Sequence, residues 1–268
     1  MKILFFGDVI GRVGREGLYS VLPGARETHQ ADFVIVNAEN AAHGKGLSPK
    51  IAEEMWHMGV DVLTMGNHTF DRREISDIID DPRILRPANY PAAVPGHGSG
   101  LFKSRSGIPV GVLQVMGRVY MPMTDDPFRI ADQELAKFEG HAKVIFVDVH
   151  AEITSEKAGL AWHLDGRASA VVGSHTHVQT ADERLLPGGT AFLSDAGACG
   201  PLNSIIGMDV KAALKRFYTG LPQPLTVATG DAMVCGCVID VDESTGKART
   251  IARIRELVRL PETLTEDR

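Results

Sequence analysis

Cysteine is scarce in this chain: its 268 residues include only Cys199, Cys235 and Cys237. An odd set of three cannot build the disulfide framework of a secreted scaffold, so a reducing, cytoplasmic setting is expected. Long apolar runs are missing as well. No stretch approaches the roughly 18 apolar residues of a membrane helix, and no membrane partner is expected. The opening run at residues 3–6 is too short for a signal-peptide core and reads as a strand. Nor is there an excess of positive charge. A formal net charge of −6 argues against a broad basic face that grips nucleic-acid phosphates, while leaving room for a local cationic pocket. Gly7, Gly11, Gly14 and Gly17 do not have G-x-G-x-x-G spacing, and His43-Gly44-Lys45-Gly46 lacks the rest of a phosphate-binding loop. Internal repeats and low-complexity tracts are absent too.

What is present is 44% hydrophobic residues, enough to bury a large core, and one domain over residues 1–268 is expected. Short β-branched runs alternate with helical patterns, the signature of an α/β chain. Strands are expected at 3–6, 33–36, 60–65, 109–115, 143–149, 170–172, 190–193 and 232–241. Ser48 and Pro49 should open a helix with Ile51, Met55 and Met58 on one face, ending near Gly59. Asp71 and Glu74 have capping-box spacing, which predicts a second helix running to Asp80, before Asp81-Pro82. Residues 86–107, rich in Pro and Gly, read as an irregular excursion, with a domain linker as the rival. Cys235-Gly236-Cys237 has the alternation of a packed strand face, and the tail beyond Leu260 is expected to fray.

The chemistry stands at the carboxyl ends of the apolar runs, where ligands bind in α/β folds. Five runs lead to Asp8, to Glu39-Asn40, to Asn67-His68, to His150 and to His175-Thr176-His177. Each alone is weak, since a lone histidine after a strand is more often structural. Together they gather carboxylates, amides and imidazoles suited to Mn, Fe or Zn rather than to Ca. In extended chain, His175 and His177 would point the same way. His29, His43, His57, His97, His141 and His163 lack such placement and are read as surface or packing residues, His43 least securely. Arg12, Lys45, Arg72 and Arg73 could steer a phosphate, with solvated surface charge an equal reading.

The motifs Gly7-Asp8-Val9-Ile10-Gly11, Asn37-Ala38-Glu39-Asn40, Gly66-Asn67-His68-Thr69-Phe70-Asp71, Val149-His150 and Gly173-Ser174-His175-Thr176-His177 resemble, in order, those of the calcineurin-like metallophosphoesterases. Within them the match is to the YmdB-like branch of cyclic-nucleotide phosphodiesterases. Residues 197–207 resemble a late loop of that branch and are given no ligand. The resemblance implies a metallophosphatase-type sandwich of two mixed β-sheets flanked by helices, with the active site at the carboxyl ends of the strands. It departs from the broader superfamily at Ile10, where the Asp-x-His motif would supply a ligand; Asn40 stands in for that histidine in the YmdB-like pattern.

Carried over, the pattern puts one metal on Asp8, Glu39, Asn40 and His177 and the other on Glu39, Asn67, His150 and His175, with Glu39 bridging. The cofactor implied is two divalent or mixed-valence transition-metal ions, Fe or Mn first and Zn next. Two such ions outweigh the charges of Asp8 and Glu39, so an acidic protein could still attract a phosphate diester. The implied reaction is hydrolysis of a phosphodiester such as a 2′,3′-cyclic nucleotide by a metal-bridging hydroxide, with His68 as general acid. RNA-derived substrates and self-association into homo-oligomers also follow from the resemblance. The alternatives are a phosphomonoesterase or nucleotidase on the same site, and a metal-containing nucleotide- or RNA-binding regulator with little turnover. For His68 the bland alternative is a hydrogen bond to a ligand only.

Overall fold

A strand covered on both faces must be apolar along its whole length, and the uninterrupted runs of this chain become such strands. In the computed structural model, which describes residues 1–261, the chain opens with β1 (Lys2–Phe6), β2 (Asp8–Val9), α1 (Gly11–His29), β3 (Phe33–Asn37), α2 (Pro49–His57), β4 (Val62–Thr64) and β5 (Ile84–Leu85). Next come β6 (Ser99–Lys103), β7 (Pro109–Met116), α3 (Pro127–Ala136), β8 (Val144–His150), α4 (Thr154–His163), β9 (Ala170–Ser174), β10 (Arg184–Leu185) and β11 (Ala191–Leu193). The last elements are β12 (Ala198–Pro201), α5 (Val210–Thr219), β13 (Ala232–Val241) and β14 (Ala248–Val258).

The strands form two mixed sheets flanked by helices. One has the order β2-β12-β13-β1-β3-β4-β5, with β14 paired to β13; the other runs β10-β11-β9-β8-β7-β6. In the first, β1, β3, β4 and β5 are mutually parallel, and in the second β7, β8, β9 and β11 are. Parallel neighbours bring their carboxyl ends to one edge, which puts the loops after β1, β3, β4, β8 and β9 in reach of one another.

Side chains alternate along each strand, and both sets find cover. Ile3 and Phe5 of β1 join Phe33, Ile35, Val112, Phe146 and Val172 in the core between the sheets, where the Phe5 and Phe146 rings lie 5.0 Å apart. Leu4 and Phe6 turn outward onto Leu18 and Leu22 of α1 and Met55 of α2. On the far side α3 and α4 cover Leu113, Val147 and Val171. Burying each such large side chain contributes about 1.5–3 kcal/mol. Cys199, Cys235 and Cys237 are all buried and free, with Cys237 in the inter-sheet core, as the strand-face reading expected.

The structure corrects four local expectations. Residues after Asp71 do not form an α-helix but a short 3-10 turn, Arg73–Asp77. The carboxylate expected to cap a helix is instead 2.8 Å from His68 Nδ1. Part of the irregular excursion is β6, an edge strand antiparallel to β7 whose partial exposure and glycines hid its pattern. The glycines at 11, 14 and 17 start the 19-residue helix α1, which the sequence reading did not identify. There they serve close approach: a Cβ on Gly14 would strike the Cys199 carbonyl, and one on Gly17 would crowd Ala232. Finally, Ser48 makes no side-chain cap, although Pro49 does open α2. The expected fraying beyond Leu260 falls on residues 262–268, which lie outside the described residues.

Candidate metal centre

Six of the expected site residues, Glu39, Asn40, Asn67, His68, His175 and His177, sit on loops that leave parallel strands, while Asp8 opens β2 and His150 is the last residue of β8. Asp8, Glu39, Asn40 and His150 are buried at 2% exposure or less, an expensive place for polar groups unless each is matched. Four of the expected ligands meet closely. His150 Nε2 is 3.0 Å from Glu39 Oε1, 3.0 Å from Asn67 Oδ1 and 3.1 Å from His175 Nδ1. Glu39, His150 and His175 form a group able to hold a metal ion, each offering one atom within 4.8 Å of the others.

The hydrogen bonds behind these atoms decide which way their lone pairs face. Ser174 Oγ donates to Asp148 Oδ1 at 2.7 Å, so it accepts from His150 Nδ1–H at 2.9 Å, leaving Nε2 bare toward the cluster. His175 Nε2 is 3.1 Å from the Glu152 carboxylate, an acceptor when ionised, and this leaves Nδ1 bare. His177 Nδ1 must donate to the Ile206 carbonyl at 2.9 Å, freeing its Nε2. With His150 neutral, Glu39 Oε1, Asn67 Oδ1, His150 Nε2 and His175 Nδ1 are acceptors facing one another at hydrogen-bond distances. A cation is what such an arrangement demands.

A proton can meet part of that demand, and His150 is the ring that takes it. Burial disfavours the charged form of His150, but Glu39, Asp8 and Asp148 outweigh it and lift its pKa to about 9. Burial also works against the Glu39 carboxylate, yet His150 prevails and holds it down at about 2. Burial, then the neighbouring His150, push His175 to about 3, so that ring stays neutral as a ligand must be. Asp8 is raised by burial, with His177 and His150 opposing.

A second set of polar atoms lies beside this group. Asn40 Nδ2 donates to the Gly44 carbonyl at 2.9 Å, while Asn40 Oδ1 and Asp8 Oδ1 are buried without a hydrogen-bond partner. Orphaned buried oxygens of this kind are rare and ask for an explanation. Asp8 Oδ2 accepts from the His175 backbone N–H at 3.1 Å. The donor set, carboxylate, amide and imidazole, fits a transition metal.

His68 occupies a different position. Its Nδ1 is 2.8 Å from Asp71 Oδ2, and its backbone N–H donates to Glu39 Oε2 at 2.9 Å. The ring is thus oriented by a carboxylate while its main chain braces the central glutamate. One premise of the sequence reading fails. His175 and His177 do not lie in extended chain, since β9 ends at Ser174 and both have positive φ, 98° and 64°. Non-glycine residues in that region cost free energy and cluster at functional sites. Sequence reasoning also missed Asn37, Asp148, Ser174 and Glu152, which brace the ligand candidates. Asn37 Nδ2 donates to Asp148 Oδ2 at 3.1 Å, and Thr64 Oγ1 to the same oxygen at 2.6 Å. The one signal for Asp148 was a carboxylate inside the apolar run Val144-Ile145-Phe146-Val147-Asp148-Val149.

Comparison with known proteins agrees with the motifs. The chain matches the family described as "YmdB-like protein" over residues 4–254. It is 49% identical over 255 residues to the 2′,3′-cyclic-nucleotide 2′-phosphodiesterase of Bacillus subtilis (strain 168), covering 95% of this chain and 96% of the relative. Among solved structures it resembles a hypothetical protein from Thermus thermophilus, with 41% identity and a TM-score of 0.91 over 96% of this chain and 100% of the other. It also resembles a novel phosphatase from Mycoplasma pneumoniae, with 34% identity and a TM-score of 0.90 over 97% and 95%. On this match of sequence and fold, the chain belongs to the YmdB-like family.

Proposed function

We propose that the chain is a dinuclear metal-dependent phosphodiesterase acting on a 2′,3′-cyclic nucleotide or a related phosphodiester. The observation that carries the metal reading is the convergence of Glu39 Oε1, Asn67 Oδ1, His150 Nε2 and His175 Nδ1, with the other ring nitrogens of both histidines engaged elsewhere. One ion would be held by these four residues. The other would be held by Asp8, Asn40 and His177, with Glu39 available to both. The orphaned Asp8 Oδ1 and Asn40 Oδ1 support that second assignment, and Asn40 supplies the ligand that Ile10 cannot. The cyclic-nucleotide substrate is supported by the Bacillus subtilis relative.

Bound ions would lower the pKa of water and neutralise charge on the phosphoryl oxygens. The remaining work falls to the protein. Ser174, Glu152 and the Ile206 carbonyl fix the tautomers of His150, His175 and His177. His68, braced by Asp71, would deliver a proton to the leaving alkoxide from Nε2.

Metal analysis of the purified protein, combined with turnover of bis-p-nitrophenyl phosphate, p-nitrophenyl phosphate and 2′,3′-cyclic AMP with Mn or Fe, tests the proposal. Hydrolysis of both diesters in preference to the monoester is expected. A monoester-only profile would replace the diesterase with a phosphatase. Tight nucleotide binding without hydrolysis would favour a regulator, and the absence of both bound metal and metal response would overturn the whole reading.

A further inference from the structure

Helix α4 carries an anomaly. Its buried stripe is Lys157, Leu160 and Ala161, continued by the capping Leu164, so a lysine stands where an apolar residue would serve. Lys157 is 0% exposed, and its Nζ lies 2.6 Å from Asp195 Oδ2, itself 1% exposed. A buried ion pair seldom stabilises a protein more than packed apolar residues of similar volume would, so its presence asks for another reason.

The reason lies in what else Asp195 holds. Its Oδ2 also accepts from Thr176 N at 3.1 Å and from Thr176 Oγ1 at 2.8 Å, and its Oδ1 accepts from Gly197 N at 2.8 Å. The main chain of Asp195 is tied to the same loop, through Thr180 N to its carbonyl and its own N–H to Thr180 Oγ1. Thr176 is the residue between His175 and His177, both in left-handed backbone geometry. Four donors converge on one side chain, and both of its oxygens are used. An ionised carboxylate can accept all four, whereas an amide would have to turn its own N–H groups toward some of them. Asp195 is also one of the charges that bear on Asp8, and Lys157 offsets it, so that the loop is clamped without adding an uncompensated carboxylate to the site.

We propose that Lys157 and Asp195 are positioning residues that clamp Thr176 and thereby hold His175 and His177 in the strained geometry that presents their imidazoles to metal. The inference rests on the reading of those histidines as ligands. Groups that orient metal ligands through hydrogen bonds contribute to affinity without touching the ion.

Titration calorimetry of Mn²⁺ into chelator-treated protein, with thermal unfolding of the same samples in EDTA, separates positioning from bulk stability. T176V, which removes the hydroxyl bound to Asp195 and to the Val178 N–H but keeps the backbone bond to Asp195, and D195N should bind Mn²⁺ about 10–100-fold more weakly than the wild type, with K157M weakened likewise. T176S, which restores the hydroxyl, should return affinity to the wild-type value. Wild-type affinity in T176V and D195N, even with lowered melting temperatures, would overturn the inference, because that is the outcome of a purely structural pair. Should D195N or K157M fail to fold, the comparison of T176V with T176S decides. A wild-type protein that bound no Mn²⁺ would overturn the metal reading itself, a distinct result.

Discussion

His68 is held at two points, by its main-chain bond to Glu39 and by Asp71 at Nδ1, so its position depends on the central glutamate whatever its part in the chemistry. If it is the proton donor, its worth should scale with the basicity of the leaving group. H68A is expected to keep its metal and to lose about 10²–10⁴-fold in kcat on 2′,3′-cyclic AMP, with a much smaller loss on bis-p-nitrophenyl phosphate, whose leaving group needs little help. Equal losses on both substrates, or full activity in metal-replete H68A, would remove it from proton transfer. At this scale much of the candidate site was legible in the sequence. Asp8, Glu39, Asn40, Asn67, His150, His175 and His177 are polar residues where an apolar run ends, and of these the structure brings Glu39, Asn67, His150 and His175 into close contact. Asp148, inside an apolar run, and Asp195, just after one, were passed over, because a carboxylate in either place looks solvent-facing until the opposite layer is seen to cover it.

Among the elements, the loop after β4 packs tightly against its neighbours. Gly66 precedes Asn67, and a Cβ there would collide with the His150 imidazole and the Glu39 carboxylate. G66A should therefore push apart residues from three different strand ends. Overpacking of this kind costs about 1–3 kcal/mol of stability. The expected phenotype is a folded protein with a reduced melting temperature and little bound metal on analysis; wild-type metal content in G66A would show that the loop has slack. The long parallel strands were readable from their unbroken apolar runs. The turn after Asp71 and the edge strand β6 were not, since a side chain claimed by His68 and a half-exposed, glycine-containing strand leave no periodic trace. The geometry of His175 and His177 was likewise misread, because local sequence favours extended chain and only the ties to Asp195 and Ile206 account for the positive φ.

For the molecule as a whole, the decisive fact is that Glu39 follows a strand of one sheet and His150 ends a strand of the other. A cation shared across that seam should stabilise both layers together. At a free Mn²⁺ concentration 100 times its Kd, linkage contributes about 2.7 kcal/mol, which corresponds to a rise in melting temperature on the order of 5–10 °C for a chain of this size. Differential scanning calorimetry with stepped Mn²⁺ and with EDTA measures it, and a melting temperature indifferent to metal would contradict a site built across the sheets. By itself the sequence determined the α/β class, the strand ends that bear the candidate ligands and the family pattern, because periodicity and motif order are local properties of a chain. Only the tertiary structure decided which acceptors face one another, which donors are already spent, and that Lys157 is buried against Asp195 behind the histidine loop. Those depend on contacts between residues far apart in the chain, such as the 111 positions from Asn37 to Asp148, and no local pattern encodes them.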